Sequence, residues 1–267
     1  MKLTLLGYRT DLIFHTFEGE VTDRERYLVI RTPSNPSYRW GNFLIFDAPP
    51  QPGEYATWTQ LFAREVGTPP RITHKLFAWD TVDSENGDVG DFLRAGFELG
   101  EEVVMAATTL KTPRHYNHEV EIRALATDAD FAEQVELHVL CRLVRDDEAS
   151  YRAFFEASAE SYRKMIRAGL GRWFGAFLDG RLVADMGIFT DGELGRYQSV
   201  VTHPDFRRRG ICSTLLYEVG RFGLATLGAH TLVIVADAHY FAKEIYAAVG
   251  FEVREQQGSL EWLGETE

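Results

Sequence analysis

The chain is poor in cysteine, in positive charge and in long apolar runs. Only Cys141 and Cys212 stand among its 267 residues, far apart and without CxxC spacing. That excludes a disulfide framework or a zinc ribbon and makes a reducing compartment the expectation. No stretch reaches the ~18 apolar residues that span a bilayer. The opening MKLTLLGYRTDLIFHTFEGE is broken by Arg9 and Asp11 and does not read as a secretory signal. A cytoplasmic protein without a membrane partner is expected. Lys and Arg number 28 against 40 Asp and Glu, a net charge of −12. This argues against nucleic acid, since phosphate contacts need basic surface. It serves solubility and is compatible with a cationic acceptor. There is no GxxxxGK[ST] and no GxGxxG. His115 and His118 are spaced like ligands, but no Cys, His or carboxylate cluster completes a tetrahedral site, so no metal is expected.

What is present is an ordinary globular composition, 45% hydrophobic and 25% charged. The length allows one large domain or two small ones. The first 25 residues show no clean period. YLVIRT (27–32), FLIF (43–46) and HKLFAWD (74–80) read as strands, and EYATWTQLFAREVG (54–67) as a helix. VDSENGDVG (82–90) reads as a loop before a short helix near Asp91–Ala95, and VVMAATTL (103–110) as a strand. The polar TPRHYNH (112–118) suggests a boundary, giving domains 1–113 and 114–267. Beyond it the spacing predicts a strand at 120–125 and helices over about 127–143 and 146–169. A hairpin follows, turning at Asp179-Gly180, then a strand at 196–202. A helix over 213–227, a buried strand at 231–237, a helix over 240–248 and strands at 251–254 and 259–263 complete the chain. The fold class is α/β (α+β), a mixed sheet flanked by helices.

One segment carries chemistry: SVVTHPDFRRRGICSTLLYEVGRF (199–222). A strand runs into a proline turn, then Arg207-Arg208-Arg209-Gly210-Ile211-Cys212-Ser213, then an amphipathic helix. A helix N-terminus offers unpaired N–H groups and partial positive charge, which suit a phosphate. Gly210 allows close backbone approach, and the arginines add charge-assisted contacts. The segment reads as a phosphate or pyrophosphate cradle.

Here the sequence resembles the GCN5-related N-acetyltransferases (GNAT). Their Arg/Gln-x-x-Gly-x-Gly/Ala motif matches at Arg207 and Gly210 after Pro204, with Cys212 in place of the last small residue. A second signature, a helix running into Tyr-x-x-x-Gly-Phe, reads Tyr246-Ala247-Ala248-Val249-Gly250-Phe251. The resemblance covers about 120–267. It implies a GNAT-like twisted sheet that binds acetyl-CoA. Val200, Val201 and Thr202 would pair with the pantetheine arm like an added strand. The amides of Arg207, Arg208, Arg209, Gly210, Ile211, Cys212 and Ser213 would hold the pyrophosphate. His239 stands where many relatives have Asn and would face the cofactor arm. Tyr246 would protonate the departing thiolate. The amine attacks the thioester directly, so Cys212 reads as a packed small residue and not a nucleophile. A glutamate base used by some relatives falls at Arg196, which cannot serve. Glu193, Gln198, Asp185 and His203 are nearby candidates, and a water relay is an alternative.

The N-terminal half follows the same rhythm. FLIFDAPPQPGEYATWTQLF aligns with QSVVTHPDFRRRGICSTLLY, and Pro50 to Phe97 spans 47 positions, as does Pro204 to Phe251. No basic residue stands around Gly53, and Phe92 takes the place of Tyr246. We expect a tandem arrangement with a degenerate, non-catalytic GNAT-like first half that shapes an acceptor cleft. The aromatic stripe of the 146–169 helix reads as core, but the resemblance implies that the helices before the hairpin also line the acceptor site, so Phe155 or Tyr162 could touch substrate. The expected function is acetyl-CoA-dependent transfer to a primary amine of a small molecule or peptide. The alternative is a non-catalytic acyl-CoA-binding or sensing protein.

Overall fold

The computed structural model describes residues 1–82, 85–144 and 146–264, so the 82–90 loop lies partly outside the described residues. Two compact units emerge. One is Met1–Val104 with Ala236–His239 and the chain from Arg254 onward; the other is Met105–Val235 with Tyr240–Val253. This differs from a division in chain order at 113/114. The reason is the last strand. The two short strands expected at 251–254 and 259–263 are one, β11 (Glu252–Trp262). The intervening Gln256-Gln257-Gly258 looks like a turn in sequence. Its Gln257 is buried instead, and its amide nitrogen donates to Glu102 Oε2 at 2.7 Å, which ties the strand at this point to β5 (Glu98–Ala107).

In the first unit the strands run in the order β1 (Glu20–Asp23), β2 (Tyr27–Arg31), β3 (Phe43–Phe46), β4 (Lys75–Trp79), β11, β5 (Glu98–Ala107). β3 and β4 are parallel, joined by α2 (Tyr55–Glu65), and β11 is antiparallel to β4. FLIF is wholly buried, as expected for a strand covered on both faces. The core is aromatic: Phe46 stacks on Trp58 at 3.7 Å, and Phe62, Phe77, Phe92 and Leu260 close around them. The residues without a period form α1 (Leu6–Glu18). Its N-cap is Leu5, which offers no capping side chain. Distant carboxylates replace it: Asp80 accepts from Thr4 and Leu5 N–H, and Glu255 from Leu6 N–H. No local signal announces such a start.

The second unit orders its strands β10 (Thr231–Asp237), β9 (Leu194–Thr202), β8 (Arg181–Thr190), β7 (Gly171–Leu178), β6 (Glu121–Ala124). β6 to β9 pair antiparallel, and β9 pairs parallel with β10 through α6 (Ile211–Ala225). Asp179 and Gly180 both have positive φ (51° and 79°), as the expected two-residue turn requires. α4 (Asp128–Cys141) starts at a capping box, with Thr127 and Asp130 exchanging hydrogen bonds. α5 (Glu148–Arg167) packs on α4, and α7 (Ala242–Val249) on α6. Among the described residues no helix is long and apolar enough to cross a membrane.

Two expectations follow. Leu260→Ala, in the C-terminal strand, should cost about 2–5 kcal/mol. Hydrogen exchange should then report lost protection in β3 and β4 rather than in β7 and β8. The second concerns Asp130. The Arg123 guanidinium first, against the opposing effect of burial and with help from the Ala126 and Thr127 N–H groups, holds its carboxyl well below the usual carboxylate range. A depressed native pKa stabilises above the unfolded value near ~4 and loses that effect as pH falls below it. Asp130→Asn should therefore lower the melting temperature at pH 7 and show a shallower loss than the unaltered chain from pH 4 downward.

Candidate functional site

The site grows from a parting of two strands. β9 and β10 pair only at Leu194↔Thr231, Gly195↔Leu232 and Arg196↔Val233, although β9 runs on to Thr202. On its other edge β9 stays with β8, but the register shifts: Val201 faces Asp185 while Gln198 faces Gly187. Ser199 and Val200 thus stand against Met186 alone, a bulge, and Ser199 takes a left-handed φ of 49°. The bulge adds twist, and among the described residues the β10 side of β9 has no partner strand from Tyr197 onward. An extended ligand with amide groups can fill such an edge.

Beyond Thr202 comes a 3-10 turn at Pro204–Phe206. Arg207 is extended, Arg208 left-handed at φ 59°, and Gly210, the N-cap of α6, left-handed at φ 76°. No backbone N–H from Arg208 to Ser213 donates to a described residue; the first that does is Thr214, to Gly210 O at 3.0 Å. A run of free donors on a helix N-terminus favours an anion. Arg207 Nε turns back to Thr202 O at 3.1 Å, and Arg209 pairs with Glu119 at 2.7 Å. Arg208 makes no ion pair among the described residues.

The close approach expected at Gly210 is made by the chain itself. A Cβ there would collide with the His115 carbonyl oxygen. Asn117 donates through its side chain to Arg209 O at 2.9 Å and through its backbone to Thr214 Oγ1 at 2.8 Å. The segment read as a polar boundary therefore buttresses the loop, a role that no local pattern marks. His118 lies against the Tyr116 ring, and no metal-binding group of three His, Cys, Asp or Glu occurs among the described residues.

Behind the loop, Cys212 is coupled to Thr202 and to Tyr246. Burial pushes its thiol up to about 11, so it is neutral at pH 7 and a poor nucleophile. Tyr246 is 5% exposed, and burial, with Cys212 and Tyr240 adding, raises its phenol far above the ordinary value. Its hydroxyl donates to no described residue. Such a phenol stays protonated and can act only as a donor near neutral pH. His239 falls with the first unit, where its Nε2 lies 3.0 Å from Glu101 Oε2.

The base candidates separate. Glu193 is exposed at the turn before β9, roughly 30 Å from Thr202 at ~3.3 Å per residue. Arg196 is buried, with Nε donating to Tyr197 O. Gln198 donates to Tyr162 OH at 2.9 Å. His203 Nε2 lies 2.7 Å from Arg181 Nη2; burial first, then Arg181, lowers its pKa, so that nitrogen is already engaged. Asp185 is fully buried, 2.8 Å from Nε2 of His138. Sequence reasoning passed over His138, whose only signal is an imidazole in the apolar stripe of α4.

Residues 132–264 match the family model of the acetyltransferase (GNAT) domain. The fold is that of GNAT structures. A GCN5-related N-acetyltransferase from Kribbella flavida superposes with TM-score 0.65 at 13% identity, over 97% of this chain and 96% of its own. A conserved protein of unknown function from Staphylococcus epidermidis superposes at 0.70 and 14% identity, over 93% and 96%. A tandem GNAT protein of the clavulanic acid pathway superposes at 0.53 and 13% identity, over 80% and 70%. No curated protein matches the chain.

Gly210→Ala should be destabilising by more than ~1 kcal/mol, because it meets both an unfavourable φ and the His115 carbonyl. Thermal unfolding reads this, and a stability equal to the unaltered chain would contradict the packing. In the native chain Cys212 should react with thiol reagents at pH 7.5 far more slowly than after unfolding.

Proposed function

We propose that the protein is an acetyl-CoA-dependent N-acetyltransferase that transfers the acetyl group to a primary amine by direct attack. The observation that carries this reading is the unpaired edge of β9 running into the free N–H donors of Arg208–Ser213. A coenzyme A thioester needs an amide-pairing edge for its arm and anion-binding groups for its diphosphate, and the two follow each other here in the right order. When bound it supplies an activated acyl group. Val200, Val201 and Thr202 hold the arm. The N–H groups from Arg208 to Ser213 receive the diphosphate, that of Arg207 being held by Pro204 O, and Arg208 adds a charge that no carboxylate among the described residues neutralises. Tyr246 gives its proton to the sulfur as the C–S bond breaks. His239, engaged by Glu101, is left out of this arrangement.

We read the first unit as a second, degenerate copy. Support comes from its β3–α2–β4 parallel crossover, which repeats β9–α6–β10. At the head of α2 stand Gln51 and Glu54, hydrogen-bonded to each other, where the second copy has arginines. Phe92 is buried, with no hydroxyl to offer. One catalytic site per chain follows, and the acceptor is a small-molecule or peptide amine.

Tyr246→Phe should lower kcat by ~10- to 100-fold while the Kd for CoA stays within about twofold. Arg208→Ala should do the reverse, weakening CoA and reducing the salt dependence of its binding. Transfer is followed by thiol release with a panel of primary amines, and binding by calorimetry. Tight CoA binding with transfer to no amine would replace this reading with that of a non-catalytic acyl-CoA-binding protein.

A further inference from the structure

The coenzyme A reading relies on backbone N–H groups of a loop that contains glycine, and such a loop does not by itself choose which way its peptides face. Resting on that reading, the geometry points to Asn117 as a positioning residue of the cofactor cradle, one that fixes the peptide plane between Arg209 and Gly210.

Asn117 belongs to a strap laid along α6 within the second unit. At the start of the strap, Lys111 N–H donates to Val249 O at the end of α7, 2.8 Å away, and Thr112 Oγ1 donates to Tyr217 OH at 3.3 Å. At its other end the strap meets the loop. The Asn117 side-chain amide donates to Arg209 O at 2.9 Å, and its backbone N–H donates to Thr214 Oγ1 at 2.8 Å. Its side-chain oxygen accepts from Glu119 N–H at 2.8 Å and from Val120 N–H at 3.2 Å. Both ends of the amide are therefore engaged, the oxygen closing the strap's own turn and the nitrogen gripping the loop.

The consequence is geometric. In a trans peptide the C=O and the following N–H point in opposite directions. With Arg209 O turned onto Asn117, Gly210 N–H points away from the strap, and it donates to no described residue. The chain would not hold this conformation unaided. Arg208 is left-handed at φ 59° although it carries a side chain, and Gly210 is left-handed at φ 76°. Left-handed backbone outside glycine is costly and persists where the surroundings over-determine it. Glycine turns at little cost, and position 210 must stay glycine, because a Cβ there would collide with His115 O. The freedom to turn over thus cannot be removed by a bulkier residue, and the bond from Asn117 removes it instead. Without that bond the 209–210 peptide can flip, which puts a carbonyl oxygen where a donor stood. Against a diphosphate the flip replaces attraction with repulsion. Asn117 is uncharged, so it acts on the direction of a dipole. Glu119, which pairs with Arg209 at 2.7 Å, acts on charge.

The test is calorimetry of CoA binding to the full chain at several salt concentrations, well below the melting temperature. Asn117→Ser keeps an oxygen for the strap's turn, but its shorter hydroxyl does not reach Arg209 O. It should weaken CoA ~5- to 30-fold, the effect of taking one hydrogen bond from the binding-competent loop. The dependence of affinity on salt should stay that of the unaltered chain, because no charge changes. Thr214→Val removes the acceptor of the second bond and should weaken CoA likewise; it carries the test if Asn117→Ser does not fold. Thr112→Val removes a bond of the same strap far from the loop and should leave the Kd unchanged, whatever it does to the melting temperature. A Kd within about threefold of the unaltered chain in Asn117→Ser and Thr214→Val, or an equal loss in Thr112→Val, would make the strap purely structural and overturn the assignment. An unaltered chain that binds no CoA overturns the parent reading as well. CoA bound equally by the unaltered chain and by Asn117→Ser overturns this one alone, so the two failures are distinct.

Discussion

The parting of β9 from β10 beyond Arg196 is the constraint on which the rest of the site depends. Were β9 paired on both edges to its end, its backbone groups would be consumed within the sheet. The bulge at Ser199 and Val200 prevents that while leaving β9 anchored to β8. A strand held on one side and released on the other can present amides without unfolding. The same direction of travel delivers the chain into the turn at Pro204–Phe206 and then onto the head of α6, so edge and anion cradle form one continuous track.

Burial acts differently on each group along that track. It keeps the Tyr246 phenol and the Cys212 thiol protonated. It leaves the loop cations near solvent, where two of three are engaged, Arg207 by Thr202 O and Arg209 by Glu119, while Arg208 is not. It encloses Asp185 with His138 and leaves one oxygen without a donor. Buried phenol, loop cations and buried carboxyl are thus set apart by their surroundings more than by their identities.

The first unit explains part of the chain's length. Its β3 and β4 are parallel and joined by α2, as β9 and β10 are parallel and joined by α6, and the head of α2 carries no arginine. It does not close on itself in chain order. β11 supplies Leu260 to its core, and Glu255 satisfies the start of α1.

Sequence by itself determined the local features. Alternation and apolar runs marked β2, β3, β4, β7, β8 and β10. Periodicity with caps marked α2, α4 and α5, and the Arg-Arg-Arg-Gly run marked the loop and its helix. These are short-range matters, set by side-chain period, turn residues and capping groups within a few positions. Tertiary structure alone decided the rest. α1 is capped by Asp80 and Glu255, β11 is held continuous across Gln257 by Glu102, and the polar 115–119 segment is fastened to the loop by Asn117 and Glu119. His138 finds Asp185 from 47 positions away. In each case a polar group is satisfied by a partner distant in sequence, and hydrogen-bond satisfaction in a folded interior is a property of proximity in space, which periodicity does not encode.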